Sequence, residues 1–370
     1  MFATSGCAQA PPKDPDLAIN LRWVRNYPKE HRSNVDTGLY WALSFLGAKL
    51  PASANVLSWH GKTLMLDLGA AQVQDGTQEA WKKLLREFKA SEEYRKTGAI
   101  DIGRFVFVSL CSANLYYELS GTSQTYPLFL ARHTFAPRQI AIVQSAVAHG
   151  NRLIEVGAGP GIGNVAFVAF EGSGALKDAT FRKEDIETLE FMQNGQLRFG
   201  VYDLDGHLKD ATTPALTTAG KPSKCLWCHE INLNRPFNNV TDLPGYYTTQ
   251  QFRDLLTSQM RVVASYRQTL RSKVDFRKTQ DHSNAENLYL SFAHPTAERL
   301  ADEWQLPLAT VRQMLQRRQL KTHPHSDYVD DRILGDELYD RDEVAALAPY
   351  SGVRGPSDIR EASSHEPAPL

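Results

Sequence analysis

The chain has 370 residues, of which 42% are hydrophobic, so it can bury a sizeable core and has room for two or three domains. Its 41 Lys and Arg residues nearly balance its 42 Asp and Glu residues, and the net charge of −1 argues against a chain that coats nucleic acid or an acidic membrane. The longest apolar run, Val165–Phe170, is far shorter than the ~18 residues that a membrane-spanning helix needs.

The N-terminal segment carries a cysteine, Cys7, among small residues, and a proline-rich polar stretch follows it. The basic start and the apolar stretch of a complete secretion signal are missing. The segment resembles the cleavage region of a bacterial lipoprotein, which implies that Cys7 carries lipid and that the upstream part of the signal is absent from this sequence. We expect residues 1–20 to be a tether. The alternative is an ordinary tail with an incidental cysteine.

Residues 21–220 are expected to form an α+β domain that begins with mixed elements. Apolar runs at Leu64–Leu68 and Phe105–Leu110 predict strands, and Cys111, directly after the second run, is expected to be buried. A helix is predicted from Pro137 to Gly150. Another is predicted from Gln78 to Lys96, because one stripe of its surface carries Trp81, Leu84, Leu85 and Phe88.

Residues 151–210 predict an antiparallel β-meander. Val165–Phe170 is a strand candidate, Asn194-Gly195 between two alternating runs indicates a hairpin, and Asp205-Gly206 indicates a further turn. The glycines at positions 157, 159 and 161 resemble the cofactor loop of methyltransferases that use S-adenosylmethionine. That loop requires a helix directly after the glycines. Here a strand-like run follows, so a turn between strands explains the glycines better.

The chain contains one C-x-x-C-H motif, formed by Cys225, Cys228 and His229. On a helix, residues at i, i+3 and i+4 share one face. Two thiols on that face can reach the two vinyl groups of one haem, and the imidazole can bind its iron. The motif therefore predicts covalent attachment of a single haem c.

This motif resembles that of the c-type cytochromes. By position, the resemblance implies that Cys225 and Cys228 form the thioethers, that His229 is the proximal iron ligand, and that the protein matures outside the cytoplasm and transfers electrons. Small cytochromes c carry the motif near the N-terminus, whereas more than 220 residues precede it here. A β-rich region before a late motif is similar to the cytochrome P460 group.

Two other chemistries use paired cysteines. A structural zinc site needs about four ligands, but Cys7 and Cys111 are solitary and distant from the motif. A thioredoxin-like redox pair needs a lowered thiol pKa and a strand that leads directly into the motif helix. The residues before Cys225 indicate a loop instead.

The sixth iron ligand would decide what such a haem does. Met260, on the apolar side of the next predicted helix, is the leading candidate, although a methionine there can also simply fill core space. His207 and His294 are weaker candidates. Trp227 and Phe237 are expected to shield the haem edge from water.

The C-terminal part is predicted to be mainly helical. Helices are expected at Thr248–Leu270 and Thr296–Leu320, and a flexible tail at residues 349–370. Leu300–Leu315 matches the spacing of a DNA-binding helix-turn-helix, but two helices packed across a turn give the same spacing. The acidic stretch Asp327–Glu343 is expected to be a solvated face or a docking surface for a basic redox partner.

Together these observations predict an α+β fold: an N-terminal mixed part with an antiparallel β-meander, and a helical, haem-bearing part at residues 221–348. We expect a mono-haem electron carrier in the bacterial cell envelope, periplasmic or associated with the outer membrane. Its partner would be a redox protein rather than nucleic acid, and membrane contact would occur only through the lipid anchor. The alternatives are a haem enzyme or small-ligand sensor with an open iron site, and an S-adenosylmethionine-dependent methyltransferase.

Overall fold

The computed structural model describes residues 14–25, 30–143, 148–217, 222–229, 231–233, 242–316, 320–321 and 338–350. The fold is mixed α+β, with an N-terminal mixed sheet, an antiparallel five-stranded sheet and then C-terminal helices. This order confirms the predicted fold class at that level.

The strands in the described part of the chain are β1 (Ala18–Arg22), β2 (Leu57–His60), β3 (Thr63–Asp67), β4 (Ile100–Asp101), β5 (Ile140–Ile142), β6 (Arg152–Val156), β7 (Ala166–Ser173), β8 (Arg182–Phe191), β9 (Leu197–Tyr202), β10 (Leu320–Lys321) and β11 (Leu338–Tyr339).

The α-helices are α1 (Arg32–Phe45), α2 (Leu68–Ala71), α3 (Gln78–Ala90), α4 (Glu92–Thr97), α5 (Ile102–Cys111), α6 (Ala113–Ser120), α7 (Tyr126–Leu130), α8 (Pro222–His229), α9 (Thr249–Thr269), α10 (Ser283–Ala293), α11 (Ala297–Trp304), α12 (Leu308–Leu315) and α13 (Arg341–Ala345).

The N-terminal sheet has the strand order β2-β3-β1-β4, with β1 antiparallel to β3 and parallel to β4. Strand β1 therefore lies inside the sheet, and its Ile19 and Leu21 are buried. A short 3₁₀ turn at Pro15–Leu17 precedes it. The tether predicted for residues 1–20 is wrong from Pro15 onward, because these residues pair with and pack against the sheet.

The second sheet is the predicted meander, with the strand order β5-β6-β7-β8-β9 and antiparallel pairing throughout. The β8–β9 hairpin turns at Gln193–Gly195, where Gly195 adopts a left-handed conformation with φ of 81°. The Asp205-Gly206 turn is also present, closed by a hydrogen bond from the Gly206 amide to the Asp203 carbonyl (3.1 Å). The hairpin predictions are confirmed.

Side chains along a strand point alternately to the two faces of a sheet. In this sheet, both faces are covered by other parts of the protein. One face belongs to the largest core cluster, which also contains Leu226 and Trp227 of α8. The other face, which includes Tyr202 of β9, packs against Phe129 of α7. Residues of the large cluster come from both sides of the predicted boundary at residue 220, from Leu17 to Leu338.

The strand predicted at Phe105–Leu110 is wrong, because this segment lies in α5. Every residue of α5 is buried, from Ile102 to Cys111. A helix that is buried on all sides gives a continuous apolar run, and such a run looks the same as a buried strand. Cys111 is buried as expected.

The predicted helix at Pro137–Gly150 is also wrong where the structure describes it, since Ile140–Ile142 forms β5 and pairs with β6. The helix predicted at Gln78–Lys96 is confirmed in type but consists of α3 and α4. Ser91 separates them: its amide bonds to the last turn of α3, and its hydroxyl caps α4 by accepting a hydrogen bond from the Tyr94 amide (3.2 Å).

The C-terminal helices agree with the periodicity, since α9 spans the first predicted helix and α11 and α12 form the second as a pair. Gln305 joins that pair in a left-handed conformation with φ of 55°. Leu300, Trp304 and Val311 pack against each other and Tyr339, as expected for a structural helix pair. Of the tail predicted at residues 349–370, the structure describes Pro349 and Tyr350, and Tyr350 is buried rather than loose. The rest of that tail and most of the acidic stretch lie outside the described residues.

A buried charge network connects these helices to the N-terminal sheet, and we call it the arginine network. Its carboxylates are Glu93, Asp101 and Glu303, and its guanidinium groups belong to Arg22, Arg104, Arg299 and Arg341. Arg341 binds Glu303 through two hydrogen bonds of 2.8 Å, and Arg299 binds Asp101 at 2.8 Å. Each of the four arginines has a carboxylate partner within the network.

Candidate functional site

The C-x-x-C-H motif lies on α8, as predicted. Pro222 is the first residue of this helix, a position that proline favours because its fixed φ suits a helix start. Cys225, Cys228 and His229 fall at i, i+3 and i+4 and therefore share one face of a single turn.

The two sides of α8 differ in burial. Leu226 is fully buried and Trp227 is 7% exposed, whereas Cys225, Cys228 and His229 are only half-buried. The Trp227 ring contacts Phe45 (5.8 Å between ring centroids) and Tyr289 (5.5 Å). The apolar side thus fixes the helix in the core and leaves the motif face partly open.

The Trp227 ring therefore packs into the core between α1 and α10, and its shielding of a haem edge stays a prediction. Phe237, the other predicted shield, lies outside the described residues.

The Cys225 thiol is held in its protonated form. Burial raises its pKa well above the usual value, and the nearby Glu187 carboxylate and the Cys228 thiol raise it further. Arg152 and Lys224 oppose this effect without cancelling it. A thiol with a raised pKa is a poor nucleophile for disulfide exchange, so this environment does not suit a thioredoxin-like redox pair.

The motif face looks onto charged residues of the five-stranded sheet. Arg152 of β6 pairs with Glu171, directly opposite it on β7, and lies 3.7 Å from the Glu187 carboxylate of β8. All three interact within the core, where charges are rare. Within the described structure, Nε of Arg152 and Oε1 of Glu187 are buried without a hydrogen-bond partner.

These sheet residues were not predicted to belong to the site. The available signal was the presence of charged residues at positions where the strand alternation points inward, namely Arg152, Glu171 and Glu187. Sequence alternation alone could not show that the inward face of these strands lies under α8.

His229 is neutral and oriented. Burial lowers the pKa of His229 to about 4, and the Arg152 charge contributes, while the hydrogen bond to a backbone carbonyl opposes the shift. That carbonyl belongs to Asn232, 3.4 Å from Nδ1 of the imidazole. Because a carbonyl can only accept, the proton resides on Nδ1, and the lone pair on Nε2 remains available to a metal.

The His229 ring also has an aromatic neighbour. Phe199 of β9 lies 5.3 Å from it, measured between ring centroids, with the two planes inclined by 46°. The Asn232 amide returns a hydrogen bond of 2.9 Å to the His229 carbonyl. Ring packing and the closed turn together restrict the rotation of the imidazole.

The two thiols and the imidazole are not gathered around one point. Among the described residues, the group whose ligand atoms lie within 4.8 Å of one another is Asp203, Asp205 and His207. Cys225, Cys228 and His229 do not form such a group, so the arrangement does not favour a zinc site. Separated anchors on one helix face suit a large cofactor that each side chain binds at a different atom.

The structure places the predicted sixth-ligand residues apart from one another. Met260 lies on α9, partly buried against the large core cluster. Its neighbour Gln259 donates a hydrogen bond of 2.8 Å to the Gly157 carbonyl, so this turn of α9 lies over the glycine loop between β6 and β7. His207 lies in an exposed turn, His294 follows α10, and Cys7 lies outside the described residues.

A further residue at the motif, Arg267, was not predicted from the sequence. It lies in the last turn of α9 and donates from Nη2 to the Ile231 carbonyl (2.6 Å), two residues after His229. Its Nε donates to the Gly195 carbonyl at the tip of the β8–β9 hairpin (2.9 Å). Arg267 therefore links α9, the sheet and the segment that follows the motif.

The comparisons with known proteins give no relative. No family model matches the chain, and neither the curated proteins nor the solved structures include one with significant similarity to it. In the part of the chain that the structure describes, none of the helices combines the length and the apolar character needed to cross a membrane.

Proposed function

We propose that this protein is a mono-haem c-type cytochrome that transfers electrons in the bacterial cell envelope. Cys225 and Cys228 bind one haem covalently, and His229 is its proximal ligand. The observation that carries the proposal is the half-open face of α8, on which the Cys225 and Cys228 thiols and a neutral, oriented imidazole stand on one helical turn.

The donor set fits this cofactor. Each thiol adds its S–H bond across one vinyl double bond, with sulfur on one carbon and hydrogen on the other, so no oxidant is consumed. His229 offers the Nε2 lone pair, and the Asn232 carbonyl retains the proton on Nδ1. Bound haem would supply a one-electron Fe(III)/Fe(II) couple.

We propose Met260 as the sixth ligand of the haem iron. We also propose that Cys7 carries a lipid, in keeping with a location in the cell envelope. An open sixth position would instead make the protein a haem enzyme or small-ligand sensor. A methyltransferase receives less support, since the glycine loop joins two antiparallel strands and leads into β7 through one 3₁₀ turn rather than a helix.

The proposal is tested by expressing the chain behind a bacterial export signal in cells that contain the haem-attachment machinery. The denatured protein is stained for covalent haem. We expect staining of the parent protein and of Cys111→Ala, a control cysteine outside the motif. Cys225→Ala with Cys228→Ala should abolish staining, and His229→Ala should change the absorption spectrum of any haem retained.

A folded parent protein without haem would refute the proposal and bring zinc analysis and S-adenosylmethionine binding forward. With haem attached, the sixth ligand is tested by carbon monoxide. Slow binding in the parent and fast binding in Met260→Ala are expected for a methionine ligand. Equally fast binding in both would identify an open site and favour the enzyme or sensor.

A further inference from the structure

Arg267 is a partly buried cation without an acidic partner in the described part of the chain. None of the carboxylates among the described residues forms an ion pair with it, and burial alone lowers its pKa to about 10. Its surroundings are neutral: two carbonyls, the Phe276 ring 4.2 Å from the guanidinium carbon, and the Phe191 ring at 5.5 Å.

An unbalanced charge in such a place costs free energy, because the interior solvates a cation less well than water does. Two carbonyl acceptors and two ring faces recover part of that cost. The rest would be recovered by an anion. Among the described residues no acidic group balances Arg267, so its position suits a bound anionic group.

One edge of the Arg267 guanidinium group remains open to an anion. Nε and Nη2 are engaged by the Gly195 and Ile231 carbonyls, but Nη1 donates to none of the described residues and is not sealed from solvent. A guanidinium edge binds a carboxylate well. The bond to Ile231 places this edge at the segment that directly follows His229.

We propose that Arg267 is the anion contact of the haem site, and that its open guanidinium edge binds a propionate carboxylate of the covalently attached haem. This inference rests on the proposed function. It adds a specific contact from α9, a helix that carries no part of the C-x-x-C-H motif. Arg152 is less suited to this role because Glu171 already neutralises it.

The experiment uses the haem-loaded protein and three variants: Arg267→Gln, Arg267→Lys and the control Arg261→Gln. Arg261 is an exposed residue of the same helix, so its loss removes the same formal charge from α9. The measurements are haem staining per folded molecule, the resonance Raman band of propionate bending, and the midpoint potential.

Staining should be equal in all four proteins. Arg267→Gln should shift the propionate band and lower the midpoint potential, since an unbalanced carboxylate stabilises ferric iron. Arg267→Lys should restore most of the potential, and Arg261→Gln should leave the band in place. A role limited to packing α9 against the hairpin would not move a propionate band.

An unchanged band in Arg267→Gln would overturn the inference while the proposed function stands. The same conclusion would follow if the parent potential depended on phosphate concentration and that dependence disappeared in Arg267→Gln, because the anion would then come from solution. A parent protein without covalent haem would instead refute the proposed function itself.

Discussion

Two groups of arginines in this protein differ in how their charge is balanced. In the arginine network, four guanidinium groups face three carboxylates, and every arginine has an acidic partner. At the end of α9, the neighbours of Arg267 among the described residues are carbonyls and ring faces. Arg267 is partly buried, whereas the network arginines are buried, and the two settings differ in how the charge is compensated.

The difference separates two uses of a partly or fully buried charge. Charges that the chain compensates itself join its own elements, as the network joins α11 and α13 to β1, β4 and α5. A charge without an acidic partner among the described residues, beside the C-x-x-C-H motif, suits a ligand. Three predictions test this contrast, from the largest effect to the smallest.

A substitution in the arginine network should lower the free energy of unfolding more than the other substitutions considered below. Glu303→Gln removes the charge that binds Arg341 through two hydrogen bonds and leaves that guanidinium buried without its partner. We expect the free energy of unfolding to fall by about 4 kcal/mol, as is typical when one member of a buried pair is lost. Urea unfolding monitored by circular dichroism measures it.

The matched control is Glu298→Gln on the same helix. Glu298 also binds an arginine, Arg312, but both side chains are more than half exposed, at 56% and 61%. An exposed pair contributes less than about 1 kcal/mol. Similar losses in the two variants would mean that compensation within the network does not stabilise the fold.

An intermediate case is Glu190, a buried carboxylate between an arginine and a histidine. It lies 3.0 Å from Nε2 of His133 and 2.8 Å from Nε of Arg198. Burial alone would raise the pKa of Glu190, but His133 and Arg198 outweigh it and lower the pKa below its usual value. At pH 7 we expect Glu190→Gln to cost about 3 kcal/mol of unfolding free energy.

This cost should depend on pH. Because the folded-state pKa is depressed, the carboxylate stabilises the fold above its unfolded pKa of about 4.3, and this contribution is lost as pH falls through the lower folded value. The free energies of unfolding of the parent and of Glu190→Gln should therefore approach each other as the pH is lowered. Glu184→Gln, on an exposed position of the same strand, should show no such convergence, and a pH-independent gap would contradict the ionic explanation.

The smallest effect concerns the hairpin tip that Arg267 contacts. Gly195 has φ of 81°, and a Cβ there would lie 2.8 Å from Cδ1 of Leu270 and 3.1 Å from Cγ of Arg267. Gly61 also has a positive φ, of 62°, but a Cβ there would meet nothing within 4 Å. Both alanine substitutions place a residue with a Cβ in the left-handed conformation, which lowers stability. Only the substitution at Gly195 also brings the new Cβ into close contact with side chains of the α9 segment.

We expect Gly195→Ala to lower the free energy of unfolding by about 2 kcal/mol and Gly61→Ala by about 1 kcal/mol. The difference between them measures the packing of α9 against the sheet, which positions Arg267. If urea unfolding gave the same loss of free energy for both variants, the hairpin tip would not contribute to the packing of α9 against the sheet.

Much of the fold follows from local sequence patterns. The meander was predictable because short strand-like runs separated by Asn-Gly and Asp-Gly turns are specified by neighbouring residues. The long helix α9 was predictable for the same reason, since its apolar stripe repeats with the helical period. The turn of α8 that carries the motif was predictable from the spacing of Cys225, Cys228 and His229.

Two secondary-structure predictions were wrong. In one segment, burial on all sides removed the hydrophobic periodicity, and in the other, pairing with a strand elsewhere in the chain determined the local structure. Segment Phe105–Leu110 is apolar except for Ser109 because α5 is enclosed by other elements, so no helical periodicity marks it as a helix. Residues Ile140–Ile142 could have continued a helical pattern. They form β5 because β6 offers a ladder of backbone hydrogen bonds beside them.

The sequence by itself determined the motif, the chemistry of its three side chains and the order of most elements, because these depend on residue identity and short-range spacing. Only the tertiary structure decided what surrounds the motif. Trp227 turned inward because α1 and α10 provide its aromatic partners. Arg152, 73 positions before Cys225, and Arg267, 38 positions after His229, reach the site from β6 and α9 through tertiary packing, which leaves no local pattern in the sequence.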